Sequence, residues 1–142
     1  SRYSVDLIKK YKCFGVNIPS AKHFVETDYC GIVSGRKVNK FEKTGLTAVK
    51  GMRIDVPLIQ ECPFNMECKL TKIITINKNR LLILGQILET HVDSDKIINA
   101  KKFKLDIKKI DPLVYCARIR EYWSIGKKLG DGYNAGKVLM KN

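Results

Sequence analysis

Acidic residues are scarce in this sequence. Asp and Glu number 14 against 27 Lys and Arg, a formal charge of +13 over 142 residues. Such a surplus attracts phosphate-bearing ligands, nucleic acid or anionic surfaces through its long-range field, although a lysine-rich surface also serves solubility alone. The lysines are spread from Lys9 to Lys141, and the densest group is Lys101, Lys102, Lys104, Lys108 and Lys109. That group is not interleaved with aromatics as a stacking platform would be, so a nucleic-acid partner is not expected. No apolar run approaches the length needed to span a bilayer. Arg2, Asp6, Lys9 and Lys10 interrupt the opening segment, which therefore lacks a leader pattern. The expectation is a cytoplasmic protein with no membrane partner.

Histidine is nearly absent. His23 and His91 lie far in sequence from the cysteines at 13, 30, 62, 68 and 116, and no CxxC pair occurs. Zinc-ligand spacing is thereby excluded, and an odd set of reduced thiols fits best. There is no GxGxxG fingerprint and no recognisable Ser, His and Asp grouping, so neither a dinucleotide loop nor a hydrolytic triad is expected. Catalytic side chains and metal ligands are both expected to be none.

What is present is ordinary for a globular domain: 44% hydrophobic and 29% charged residues. One domain over 1–142 is expected, without repeats, and with a flexible tail over 131–142. Val5, Ile8 and Tyr11 share a face of an opening helix, with Ser4 at its N-cap or just inside the first turn. Cys13 to Ile18 predicts a short strand, and Pro19-Ser20 starts a second helix that carries Ala21, Phe24 and Val25 inward and ends near Gly31. A turn covers Gly31 to Gly35, and a short helix covers Lys37 to Lys43, stopped by Thr44-Gly45. From Phe64, apolar and polar residues alternate: Phe64, Met66, Cys68 and Leu70 predict the buried face, with Asn65, Glu67, Lys69 and Thr71 outward. The phase shifts near Lys72, which predicts a bulge. Asn77-Lys78-Asn79 turns the chain, and Leu81 to Val92 returns as the partner strand, with Gly85 marking a bend or a close backbone approach. Asp93 to Lys109 is expected as a surface excursion with a helical turn. Short strands follow at Leu113–Cys116 and Glu121–Ile125. Cys68 and Tyr115 are assigned to the core, and His91 to a structural hydrogen bond.

Three stretches carry a resemblance. The first is Ser1-Arg2-Tyr3-Ser4 leading to Phe14-Gly15-Val16-Asn17-Ile18-Pro19. The second is Asp28-Tyr29-Cys30-Gly31-Ile32-Val33-Ser34-Gly35-Arg36, running to Asn39-Lys40-Phe41. The third is Asp111-Pro112-Leu113-Val114-Tyr115, running to Tyr122-Trp123-Ser124-Ile125-Gly126, after a hairpin that ends Thr90-His91-Val92-Asp93. In this order they resemble the FMN-binding split barrels, especially flavin reductases and flavoredoxins. The resemblance implies a mainly β fold with short helices, a split β-barrel. Family members carry several strands ahead of the segment that begins here, so a barrel incomplete at its N-terminus is expected. Unpaired strand edges then favour a homodimer.

The resemblance also implies FMN as cofactor, with NAD(P)H or a redox protein as electron donor. The flavin does the redox chemistry, and the protein supplies binding and electrostatics. Arg2 and Ser4 stand at the entrance of the first helix, where free N–H groups and a guanidinium suit a phosphate. Taken alone, Ser4 is a cap and Arg2 a solvated cation; the resemblance favours phosphate binding. Ser34, Gly35 and Arg36 form a turn, and Lys40 is the cation expected to stabilise negative charge on the reduced ring or the phosphate. Tyr122 and Trp123 either cover the ring system, across a dimer seam, or anchor the core or interface. The alternative function is a truncated, non-catalytic dimer without flavin.

Overall fold

The computed structural model describes residues 2–78 and 80–140. Ser1, Asn79, Lys141 and Asn142, which enter the expectations above, lie outside the described residues. Helix α1, Tyr3–Tyr11, ends at Lys12, whose φ of 58° and N–H bond to the Ile8 carbonyl (2.9 Å) close it in a left-handed cap. Strand β1, Cys13–Ile18, follows directly, as predicted. A 3-10 turn over Ala21–His23 leads into α2, Phe24–Ile32, and α3 is short, Lys40–Thr44. The short helix thus starts later than Lys37. Residues 34–37 are spent on a turn, and Asn39 caps α3 by accepting from the Glu42 N–H at 3.5 Å. Gly45, with φ +70°, stops it where expected.

Strands β2 (Ala48–Lys50) and β3 (Pro57–Ile59) form a small antiparallel pair. The dominant feature is the hairpin of β4, Phe64–Asn77, and β5, Arg80–Val92. Its register shifts between Leu70 and Lys72, at the predicted bulge. Strand β1 pairs antiparallel with β4, giving the sheet order β1-β4-β5. Gly85 is a close approach: a Cβ there would stand 2.5 Å from Cζ of Phe14, so any side chain would displace the phenyl that crosses the sheet.

The segment after the hairpin is more ordered than expected. It contains a 3-10 turn, a two-stranded ladder of β6 (Ile97–Asn99) and β7 (Lys104–Leu105), and helix α4, Ile107–Ile110. Asp106 caps α4 by accepting from Lys109 N–H, and Ile110 is buried. Leu113 N–H bonds the Pro19 carbonyl, which pins this segment beside the end of β1. Strands β8 (Val114–Cys116) and β9 (Glu121–Trp123) form the last pair. Residues 131–140 are exposed and include a 3-10 stretch, Ala135–Met140.

The burial expected of six residues is corrected. Tyr11 is exposed, because the chain turns away at Lys12 and its ring lies 5.0 Å from Lys10 Nζ. Phe24 and Val25 are exposed on α2, with Phe24 facing the ring of Tyr122 at 6.5 Å. Tyr115 is half exposed and stacks on Tyr122 at 4.7 Å. Asn65 and Glu67, assigned to the solvent face of β4, are buried. The loop before β3 and the turn at Cys62 cover that face: Glu67 accepts from N–H groups of Met52, Arg53 and Ile54, and Asn65 donates to the Cys62 carbonyl.

The thiols separate by burial. Cys62 and Cys68 are buried, and Cys68 is the core residue expected. Burial, with the nearby Glu61 and Asp93 carboxylates, pushes the Cys62 thiol up to about 11, and burial raises Cys68. Cys13, Cys30 and Cys116 are half-buried. Since the thiolate is the reacting species, a thiol-reactive dye is expected to label Cys13, Cys30 and Cys116 promptly, and Cys62 and Cys68 only after denaturation. Equal rates at all five sites, read by peptide mapping, would contradict this packing.

Candidate functional site

The N-terminus of α1, the C-terminal turn of α2, the following turn and the start of α3 converge on one open cleft of about 990 Å³. Arg2, Ser4, Ser34, Gly35, Arg36 and Lys40 all line it. Residues from three separate stretches of sequence are thereby brought together. Arg2 occupies the N-cap of α1 in an extended conformation and makes no side-chain cap bond, while Ser4 lies inside the first turn. The helix thus opens toward the cleft without a side-chain acceptor at its cap.

The Ser34–Lys37 turn is closed by the Lys37 N–H on the Ser34 carbonyl at 2.9 Å, and the Ser34 hydroxyl accepts from Arg36 N–H at 3.3 Å. Arg36 reaches across to α1: its guanidinium pairs with Asp6 and lies 4.5 Å above the ring of Tyr3. Gly35 makes that stacking feasible, since a Cβ there would come within 3.3 Å of the Tyr3 ring. Lys40 donates to the Cys30 carbonyl near the end of α2. It therefore neutralises the negative pole of that helix as well as facing the cleft. Tyr3, Asp6 and Lys37 were not singled out from the sequence. The helical spacing of Tyr3 and Asp6 on one turn was legible, but their meeting with Arg36, 30 residues away from Asp6, was not. Chemically, four cations (Arg2, Arg36, Lys37 and Lys40) and two serine hydroxyls face one space. That donor set accepts an anion with several oxygens.

Tyr122 and Trp123 stand apart from this cleft. The Tyr122 hydroxyl donates to Asp28 on α2 at 3.2 Å, and burial together with that carboxylate pushes its pKa up. Trp123 is 56% exposed and its indole N–H meets Glu121 at 3.1 Å. Tyr122 forms an aromatic cluster with Phe24 and Tyr115 along the same helix whose other end walls the cleft.

A second buried arrangement escaped the sequence reading. Glu67 is fully buried, and His91 Nε2 lies 2.7 Å from its carboxylate. Burial alone would raise this carboxyl; the bonds from His91 and from N–H groups of Met52, Ile54 and Arg53 outweigh it and hold the group at about 2. His91 has the hydrogen-bonded structural role expected of it. No group of three or more His, Cys, Asp and Glu side chains that could hold a metal occurs among the described residues.

Residues 1–124 match the model of the flavin reductase like domain. The chain belongs to the flavin reductase-like family. The flavoredoxin of Desulfovibrio vulgaris (Miyazaki F) superposes with a TM-score of 0.87 at 32% identity, over 96% of this chain and 71% of that one. The flavoredoxin of Methanosarcina acetivorans gives 0.85 at 33% identity, over 99% and 72%. An uncharacterised protein of Archaeoglobus fulgidus is 38% identical over 97 residues, which is 68% of this chain and 54% of the relative. The chain thus spans about half the length of that curated relative. The β-rich fold with short helices matches the split-barrel structures of the flavoredoxins.

Proposed function

We propose that the cleft binds FMN, and that the protein works as a homodimeric flavin-dependent redox protein: a reductase using NAD(P)H, or an electron carrier in the manner of the flavoredoxins it resembles. The observation that carries this reading is the convergence of Arg2, Ser4, Ser34, Arg36 and Lys40 on one space. A volume of about 990 Å³ is ample for a nucleotide-sized ligand, small-molecule sites running to roughly 1,000 Å³. When bound, the flavin supplies the hydride or electron transfer.

The chain's own residues bind and orient. Arg2 and the open end of α1 take the phosphate, with Ser4 and Ser34 as neutral donors. Arg36, already stacked on Tyr3, offers a fork to a second phosphate oxygen in exchange for Asp6. Lys40 stays fixed by the Cys30 carbonyl and contributes positive potential toward the ring. Tyr122 and Trp123 serve at the subunit seam. Exposed Leu82, Leu84 and Ile87 on the edge strand β5 add apolar surface that a second copy would cover.

The absorbance spectrum of the purified protein, before and after incubation with FMN and gel filtration, tests this. Flavin bands that co-elute with the protein at dimer mass are the expected result. A colourless protein that takes up no added FMN would overturn it.

A further inference from the structure

We propose that the β6–β7 hairpin is a docking peg for an anionic phospholipid surface, with Phe103 entering the headgroup boundary and Lys101, Lys102 and Lys104 pairing with lipid phosphates. The proposal is independent of the flavin reading, and it departs from the expectation of no membrane partner. The contact is with a surface: none of the described helices is long and apolar enough to cross a membrane.

The hairpin is anchored at its base and bare at its tip. At the base, Asp106 N–H bonds the Lys96 carbonyl at 2.7 Å, Lys109 Nζ reaches the Asp95 carbonyl at 3.3 Å, and Ile110 is buried. At the tip, Phe103 N–H bonds the Ala100 carbonyl at 3.1 Å and Lys102 N–H bonds Asn99 Oδ1 at 3.0 Å. These bonds hold Phe103 at a φ of 47°, a left-handed conformation unusual for a bulky residue. The backbone, with no packing partner involved, therefore sets the phenyl outward, and it is 90% exposed.

Charge surrounds it closely. Lys102 and Lys104 are its chain neighbours, with α-carbons about 3.8 Å to either side, and Lys101 precedes them. Between Ile97 and Lys104 the chain carries no carboxylate; Asp95 and Asp106 lie at the base, engaged with Lys96 and with the N-terminus of α4, and Asp131, which feels the charge of Lys104, is paired with Lys128. Ile98 on β6 and Ile107 at the start of α4 are also exposed. The basic group of the sequence thus contains one aromatic, Phe103, between Lys102 and Lys104.

Three features favour lipid over other occupants. Stacking on single-stranded nucleic acid uses successive aromatics, and here one phenyl stands between lysines. A second copy meeting tip to tip would oppose lysine with lysine on a chain of net charge +13. An acidic protein would need a pocket matched to a narrow convex tip, whereas a bilayer interface deforms around it. One apolar anchor plus a basic collar supplies the two signals that surface attachment requires.

Sedimentation with vesicles of phosphatidylcholine, alone or mixed with phosphatidylserine, tests the proposal on the intact protein. Binding is expected only to the mixed vesicles. Changing Lys101, Lys102 and Lys104 together to Gln should reduce it about a hundredfold, each lysine near an anionic surface contributing roughly a factor of five. Phe103→Ser should reduce it about tenfold. Both variants should keep the parent's melting temperature and its behaviour toward FMN, so loss of lipid binding and failure of the flavin reading remain distinguishable. Equal binding by Phe103→Ser would reduce the contact to charge adsorption and overturn the peg. So would absence of binding to the mixed vesicles, retention on oligo(dT) that depends on Phe103, or self-association that Phe103→Ser abolishes.

Discussion

An Arg2→Ala, Arg36→Ala double variant is expected to hold FMN about a hundredfold more weakly than the parent chain, with an unchanged melting temperature. A hydrogen bond to a charged group contributes about 1.5–3 kcal/mol, and about 1.4 kcal/mol is tenfold in affinity. The Arg36 side chain is half exposed, so water screens it and the low end of that range applies to each residue. Exposure also explains why folding should survive: neither guanidinium supports the core. Lys40 is a poorer choice for this test, because its bond to the Cys30 carbonyl supports the end of α2. Asp6→Asn is the informative control. It removes the carboxylate that pairs with Arg36 and leaves the cation in place, so FMN affinity should hold or rise. Fluorescence titration of FMN measures all of these. If the double variant binds FMN as tightly as the parent, the phosphate sits elsewhere.

The sequence disclosed the elements whose pattern is local. The strand Cys13–Ile18, the long hairpin, its bulge near Lys72 and the close approach at Gly85 each follow from spacing within one stretch, and each is found. The cleft is legible through the resemblance, which groups Arg2, Ser4, Ser34, Arg36 and Lys40, all of which line it. What was hidden depends on contacts between segments. Alternation along β4 assigns Glu67 to water because a carboxylate there normally faces it. Nothing in residues 64–71 reveals that the loop at 52–54 will fold over that face and donate its N–H groups. Periodicity on α2 likewise assigns Phe24 to the core, although its ring turns to Tyr122, nearly a hundred residues on by sequence (about 98). Phe103 gives no sequence signal, because a lone aromatic in a lysine run carries no period at all.

Glu67 is also where stability should respond most strongly. Changing it to Ala removes the acceptor of three backbone N–H groups and of the His91 ring, from a carboxylate that is itself fully buried. A buried donor left unsatisfied costs about 1–3 kcal/mol; these bonds are part-buried, so the low end applies to each and a loss of about 3 kcal/mol is expected after the loop relaxes. Glu67→Gln keeps one acceptor oxygen and should fall between the parent and Glu67→Ala. The pH dependence follows from the depressed carboxyl. Its value falls from 4.5 in the unfolded chain to about 2 in the fold, so the unfolded state binds the proton first as pH drops. The stabilisation is therefore complete above about pH 4.5 and disappears as pH falls toward about 2. Urea melts of parent and Glu67→Gln, at about pH 6 and about pH 3, isolate this contribution from that of the other carboxylates. The gap between the two proteins should narrow at the lower pH, since the amide does not titrate. A gap that stays constant across that range would mean that the loop at 52–54 rests on its packing and not on the charge beneath it.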